Sequence, residues 1–177
     1  MENRFYLFGV DHTFAYLDEQ VACIEARVGC FKGRKIMLEL APNNEKLVRE
    51  GRIKKGFFLT LAEHYRSVGA EVICGDQNLT IPENVGLEVL LIGEQIFYPN
   101  NRRDEIIRRK ISRRSPHIVI VGNGHSDEIK EHFPNTYYTV LQPKGGYEAS
   151  WSHHGSPHVW HDPDEVITLQ SQKLKEA

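Results

Sequence analysis

Histidine and acidic residues follow short apolar runs at four places along the chain. Such runs are typical of strands buried on both faces, and the carboxyl ends of parallel strands meet at one edge of a sheet. Side chains at that edge can share a cleft, where a histidine and a carboxylate can transfer a proton. The candidate residues are His12, Glu39, Asp76 and His125. Their types and positions predict an active site at the carboxyl ends of the strands.

Glu39 lies between Leu38 and Leu40 in one of these apolar runs. A carboxylate in a buried strand costs free energy unless it is paired with a cation or coordinated to a metal. Arg103 stands near the start of a basic segment and could pair with Glu39, or hold a substrate carbonyl or carboxylate in a forked contact. A structural ion pair and a functional role both remain open for Glu39.

Segments of helical periodicity alternate with the apolar runs. Helices are predicted at residues 18–31, 56–68 and 104–112, and strands at residues 5–9, 35–40, 71–74, 88–92, 118–121 and 137–141. This alternation predicts an α/β fold: a single compact domain with a mostly parallel central sheet flanked by helices. The basic segment 102–114 is interpreted as a solvated helix face with its isoleucines buried, because it lacks the interleaved aromatic residues of a nucleic-acid stacking surface.

The C-terminal part of the chain has a different composition. Residues 146–161 are rich in Gly, Ser, His and Pro, which predicts a loop. Asp162, Pro163 and Glu165 together form a helix-start pattern, so a final helix is predicted to about residue 175. We therefore predict an α/β domain at residues 1–145, and a His/Trp-rich loop with a C-terminal helix packed on it at residues 146–177. The loop could contribute to a homo-oligomer contact through Trp151 and Trp160.

Length and composition limit the class of protein. The chain has 177 residues, 40% of them hydrophobic and 26% charged, with a formal net charge of -2, so a globular domain is expected and no basic excess suggests nucleic acid as a partner. Three cysteines without a CxxC pair predict free thiols in a reducing compartment. No apolar run approaches the ~20 residues of a membrane span, and a cytoplasmic location is the expectation.

Gly122 and Gly124 form a glycine pair directly after an apolar run, as in dinucleotide-binding loops. Asp127 occupies the third glycine position, and Asp127 and Glu128 place negative charge where a pyrophosphate would sit. The glycines are instead interpreted as giving a tight turn that presents His125.

Five short motifs occur in an order that resembles the TraB/Tiki superfamily, with erythromycin esterases and ChaN-like haem-binding proteins as more distant relatives. They are GxxH at 9–12, Leu-Glu-Leu at 38–40, an acidic residue at Asp76, the helix start at Arg103 and Asp104, and GxxH at 122–125. The resemblance covers about residues 5–141. Gln77 stands where the family often has Arg, and the family's helical insertion is shortened here to about residues 77–101.

The resemblance implies a hydrolase that acts on a peptide or ester bond of a peptide or small-molecule substrate. It implies His12, Glu39, Arg103 and His125 as catalytic residues. In a metal-dependent version, His12, Glu39 and His125 would bind a divalent ion such as Mn²⁺, Co²⁺ or Zn²⁺. Ligand-binding roles are predicted for Asp11, Asp76, Asp104 and Asn123.

Two other functions remain open from the sequence. The first is a non-catalytic module that binds a small anionic ligand or haem, which the shortened insertion and the lack of an obvious nucleophile favour. The second is an interaction protein whose strand-end polar residues only satisfy one another.

Overall fold

The computed structural model describes residues 4–80, 103–143 and 164–170. These residues belong to two compact units. The first unit comprises residues 1–31 and 117–177, and the second comprises residues 32–116. The strand predicted at 88–92 and the loop that contains Trp151, Trp160 and the histidines at 153, 154, 158 and 161 lie outside the described residues.

The described elements alternate between strands and helices along the chain. In chain order they are β1 (Tyr6–Val10), a short 3-10 helix (Phe14–Tyr16), α1 (Leu17–Val28), β2 (Lys35–Leu38), α2 (Asn44–Arg49), α3 (Phe57–Ser67), β3 (Glu71–Cys74), α4 (Arg103–Arg114), β4 (Ile118–Gly122), α5 (Asn123–His132), β5 (Tyr137–Pro143) and β6 (Glu165–Leu169). The strand pairings within each unit are parallel.

The first unit is built on four parallel strands in the order β4, β1, β5, β6. All five residues of β4 are buried, as expected for a Val/Ile-rich strand covered on both faces. Helix α5 packs against β1 and β4, and helix α1 contacts β1 and β6. Helix α1 ends at Gly29, whose φ of 75° is the left-handed conformation that glycine adopts most readily.

The second unit contains the parallel pair β2 and β3, with Leu38 opposite Cys74. Helix α3 packs on both strands through a face that is buried from Phe57 to Tyr65. Helix α4 buries Ile107 and Ile111, four residues apart on one side of the helix. The α/β class with parallel strands and flanking helices is thus confirmed, and helix α2 was not predicted because six residues are too few to show helical periodicity.

The predicted C-terminal helix is wrong over residues 165–169, which form β6. Val166, Ile167 and Thr168 are consecutive β-branched residues, which favour strand over helix, and β5 supplies backbone partners for them. Asp164 precedes β6, and its Oδ2 accepts a hydrogen bond from the Tyr138 backbone N–H at 2.8 Å. The predicted cap Asp162 and Pro163 lie outside the described residues. Pairing with β5 therefore decides the structure of residues 165–169.

The three cysteines, Cys23, Cys30 and Cys74, are free thiols in the structure. Among the helices that the structure describes, none is both long enough and apolar enough to cross a membrane.

Candidate functional site

Two predicted carboxylates leave neighbouring strands of the second unit. Glu39 directly follows β2, and Asp76 lies two residues beyond β3. Because β2 and β3 are parallel and adjacent, both side chains emerge at the same end of the pair. Backbone pairing continues past the strands, since Gly75 N donates to Leu38 O at 2.7 Å and Asp76 N donates to Leu40 O at 3.2 Å. The position of Asp76 relative to Glu39 is therefore fixed by the backbone.

Arg103, the first residue of α4, joins these two carboxylates. Its Nε donates to Asp76 Oδ2 at 2.8 Å, and its Nη2 lies 2.7 Å from the same oxygen. The same Nη2 donates to Glu39 Oε1. The three side chains are almost fully enclosed, with exposures of 2% for Glu39, 0% for Asp76 and 11% for Arg103. We call these three residues the carboxylate–arginine cluster.

Asp76 and the neighbouring Gly75 show how the cluster is held in this geometry. Asp76 uses its second oxygen as well, because Oδ1 accepts from the Gln77 backbone N–H at 2.7 Å. Gly75 allows the segment after β3 to lie close to the end of β2, since a Cβ added at Gly75 would lie 2.7 Å from Leu38 O. Buried carboxylates without such partners would cost several kcal/mol each, a cost that the contacts with Arg103 offset.

Lys110 lies two helical turns after Arg103 on α4, and its side chain contacts the segment that contains Asp76. Its Nζ donates to the backbone carbonyl of Cys74 at 3.0 Å and to that of Asp76. Burial lowers the pKa of Lys110, and the neighbouring Cys74 and Asp76 oppose that shift. The cluster and Lys110 together carry two negative and two positive charges.

The two predicted histidines belong to the first unit and leave adjacent strands. Val10 at the end of β1 is opposite Gly122 at the end of β4. His12 follows Val10 by two residues and is exposed, and His125 follows Gly122 by three and is half-buried in the first turn of α5. Both histidines thus follow strands at the same end of this sheet, which is the position that the sequence predicted for each of them. Their catalytic role stays a prediction.

Asp11 is held by a residue that sequence reasoning missed. The backbone N–H of Asp11 donates to Gln20 Oε1 and its carbonyl accepts from Gln20 Nε2, both at 2.8 Å. Asp11 Oδ1 in turn accepts from Thr13 N at 2.8 Å. The carboxylate of Asp11 therefore closes a local turn around His12.

Asn123 is buried and connects α5 to the sheet. Its Nδ2 donates to Leu141 O at 3.0 Å. Close by, Ser126 Oγ lies 2.8 Å from Tyr138 Oη, and Tyr138 donates to Asp127 Oδ1 at 2.7 Å. These contacts give Asn123 a structural role at the packing interface between helix and sheet, and its predicted ligand-binding role stays untested.

Asp104 lies in the first turn of α4, next to Arg103 in sequence. A negative charge there stabilises the N-terminus of the helix. This position accounts for Asp104 as a helix-start residue. Its predicted ligand contact stays a prediction.

The interpretation of the glycine pair at 122–124 needs correction. Gly122 caps α5 with φ of -60° and ψ of 148°, an extended conformation that any residue adopts. An added Cβ at Gly124 would meet nothing within 4 Å. Neither glycine is required by backbone conformation to present His125. The glycine that packing requires is Gly9, where an added Cβ would clash with Asn123 Oδ1 and lie 2.7 Å from Ser126 Oγ.

Metal ligation was tested on the arrangement of donor side chains. Within residues 4–80, 103–143 and 164–170, no three His, Cys, Asp or Glu side chains come together as a metal-binding group. Glu39, one of the three predicted ligands, is bound to Arg103. Metal dependence accordingly stays a prediction.

Helical spacing contains a signal for buried polar residues, among them Gln20, which was not predicted. Gln20 precedes the buried Ile24 by four residues and Val28 by eight, which places it on the apolar face of α1. Arg103 has the same spacing to Ile107 and Ile111 on α4. A polar side chain on such a face must find a buried partner, so this spacing identifies residues that hold other residues in place.

Comparisons with known proteins were made by family model, by sequence and by structure. No family model, no curated protein and no solved structure matches the chain. The resemblance to the TraB/Tiki superfamily therefore stays a prediction that rests on the five motifs.

Proposed function

We propose that the protein is a hydrolase that cleaves an ester or peptide bond and uses Glu39 to activate water. The observation that supports this proposal best is the carboxylate–arginine cluster, in which Arg103 fixes two enclosed carboxylates at the carboxyl ends of neighbouring parallel strands. Ligand sites of α/β sheets lie at that end of the strands. The energetic cost of enclosing these charges is also typical of functional sites.

In the proposed reaction, the oxygen of a water molecule attacks the carbonyl carbon while Glu39 accepts the proton of that water. The carbon–oxygen or carbon–nitrogen bond then breaks, and the leaving group takes up the proton that Glu39 accepted, which returns Glu39 to its starting state. Guanidinium N–H groups stabilise negative charge that develops on a carbonyl oxygen, which is the role proposed for Arg103. Asp76 holds the guanidinium in the orientation that this role requires.

Roles for His12 and His125 are proposed separately from the cluster. Both leave the same end of the first unit's sheet, and an imidazole can transfer a proton near neutral pH. Each histidine is proposed to transfer a proton or to bind a divalent ion.

A screen of ester and peptide substrates tests the proposal, with and without added Mn²⁺, Co²⁺ or Zn²⁺. Glu39→Gln should lower kcat/KM by about 100-fold or more, as expected for loss of a general base. Glu50→Gln makes the same chemical change at an exposed position of the second unit, where Glu50 pairs with Lys46, and should retain activity. Absence of turnover across the screen, or full activity in Glu39→Gln, would contradict the proposal.

The histidines and the metal are tested in the same preparation. His12→Ala and His125→Ala should each lower turnover, and metal dependence predicts a rise in Tm on addition of one of the three ions that the double variant loses. An identical Tm and identical turnover in the double variant would remove both histidines from the proposal.

A second candidate function is non-catalytic binding of a small anionic ligand or haem. The observation that favours it is the near-complete enclosure of Glu39 and Asp76, which already bind Arg103. A visible absorption band on titration with haem, without turnover of any substrate, would support binding. Hydrolysis that Glu39→Gln abolishes would exclude it.

A further inference from the structure

Helix α4 contacts Asp76 at two points. Arg103 binds the Asp76 carboxylate, and Lys110 binds the Asp76 backbone carbonyl. Residues seven apart lie two turns apart on the same side of an α-helix, which explains how one helix provides both contacts. The second carbonyl that Lys110 binds, that of Cys74, lies on the other side of Gly75. Lys110 thus spans the bend at 74–76 that follows β3.

This bend determines where the Asp76 carboxylate lies. Gly75 is confined by Leu38 O and by Met37, so the segment has little room for an alternative path. The carbonyls of Cys74 and Asp76 each accept a hydrogen bond from one ammonium group, which fixes their relative orientation. Rotation of the Asp76 backbone would move its carboxylate away from the Arg103 guanidinium.

We infer that Lys110 is a positioning residue for the carboxylate–arginine cluster, acting through the Asp76 backbone on Arg103 and thereby on Glu39. The inference rests on the proposed function where it concerns catalysis. Its structural part, the orientation of Arg103, is measurable without any substrate.

The hydrogen exchange rate of the Arg103 Nε–H is a direct readout. This proton is bonded at 2.8 Å to a fully buried carboxylate, so its exchange with solvent should be slow in the native protein. Lys110→Met removes both carbonyl contacts with little change in volume. The exchange rate of Arg103 Nε–H should then rise by about tenfold or more, the effect expected from loss of a charge-assisted hydrogen bond.

Lys130→Met provides a matched control in the first unit. The Nζ of Lys130 also donates to two backbone carbonyls, those of Pro134 at 3.2 Å and Thr136 at 2.9 Å. This variant should leave the exchange of Arg103 Nε–H within about twofold of the wild type, the size of an ordinary surface effect. Equal exchange rates of Arg103 Nε–H in Lys110→Met and Lys130→Met would show that Lys110 only anchors α4 to the second unit. That result would overturn the inference.

Two further variants keep the test decisive. Lys110→Arg retains a charge and several donors, and should restore slow exchange at Arg103. If Lys110→Met does not fold, Lys110→Gln, which retains one donor group, takes its place with the same criteria for the Arg103 exchange rate.

Activity separates this inference from the proposed function. Lys110→Met should lower kcat with little change in KM, because Lys110 does not contact the substrate in this proposal. If Glu39→Gln retains full activity while Lys110→Met accelerates exchange at Arg103, the proposed function fails and the positioning role stands. If Glu39→Gln abolishes activity while Lys110→Met changes neither exchange nor kcat, only the positioning role fails.

Discussion

Gln20 binds the backbone of Asp11 through both polar atoms of its side-chain amide, at 2.8 Å each. Gln20 is fully buried on α1, and Asp11 immediately precedes His12. The Gln20 amide satisfies the backbone N–H and carbonyl of Asp11, as a neighbouring strand would do. The hydrogen-bonded backbone of β1 is thereby extended to the residue before His12. The loop that carries His12 is therefore ordered by a side chain nine residues further along the chain.

Replacement of Gln20 by Leu should destabilise the protein by about 1–3 kcal/mol, because two backbone groups lose their partners. It should also shift the NMR signals of the His12 ring and lower any turnover that depends on His12. Asn43→Leu is the matched control, since Asn43 forms the same two-bond amide contact with Leu79 in the second unit, at 2.8 and 2.9 Å. Equal shifts of the His12 ring signals in both variants would contradict a local role for Gln20.

Loss of Arg103 should have the largest effect on stability. Arg103→Met removes the cation that binds the side chains of Glu39 and Asp76, at a cost of about 3–5 kcal/mol in the free energy of unfolding. Urea denaturation measures this cost. Arg109→Met, which removes an exposed arginine paired with Glu105 on the same helix, should change stability by about 0.5 kcal/mol or less.

Neutralisation of both carboxylates tests the cause of that loss. The triple variant Glu39→Gln, Asp76→Asn, Arg103→Met should be more stable than Arg103→Met alone, because it buries no unpaired charge. A triple variant that is no more stable would show that packing of the arginine stem, rather than its charge, matters most.

Two glycines should respond in opposite ways to alanine. Gly9→Ala should destabilise the protein by about 1–3 kcal/mol, because the added methyl group clashes with Asn123 and Ser126 where α5 packs on β1. Gly124→Ala has open space within α5 and should be neutral or stabilising by up to about 1 kcal/mol, since alanine favours helix. Thermal unfolding of the two variants measures the difference, and equal destabilisation would show that the described packing at Gly9 is wrong.

Tyr138 should make stability fall at high pH. Burial raises the pKa of the Tyr138 phenol far above its ordinary value of 10.0, with the Asp127 carboxylate adding to the rise and the Ser126 hydrogen bond opposing it. Above about pH 10 the unfolded chain loses this proton and the folded chain keeps it, so the folded state binds more protons and stability decreases as pH rises.

Tyr138→Phe removes this contribution. At neutral pH the variant should be less stable by about 1–2 kcal/mol, because Ser126 and Asp127 lose a hydrogen-bond partner. The difference in the free energy of unfolding between Tyr138→Phe and the wild type should become smaller above about pH 10, because only the wild type loses the contribution of Tyr138 there. Urea denaturation at several pH values measures this difference. Tyr137→Phe, at a half-exposed position on the same strand, is the control. Its stability should still fall above about pH 10, because Tyr138 is intact in this variant. A constant difference between Tyr138→Phe and the wild type would contradict the assignment.

Of the described strands of the first unit, β1, β4 and β5 were predicted from sequence, and β6 was not. The run Ile118–Val121 consists only of β-branched residues, and burial on both faces is the condition that such a run satisfies. The ion pair between Glu39 and Arg103 was one of the alternatives left open, because a carboxylate between two leucines needs a cation. Patterns of this kind depend on the local sequence and on the cost of burying charge, so they are visible without coordinates.

Tertiary structure decided which residues meet. Asp76 shares Arg103 with Glu39 because β2 and β3 are neighbours, and the contact between Arg103 and Glu39 joins residues that are 64 apart in the chain. The same cause explains the error at 165–169, where pairing with β5 decided the structure. The sequence thus determined that charged residues would be buried at strand ends, and only the tertiary structure determined their partners, because partner choice depends on strand order, which local sequence does not encode.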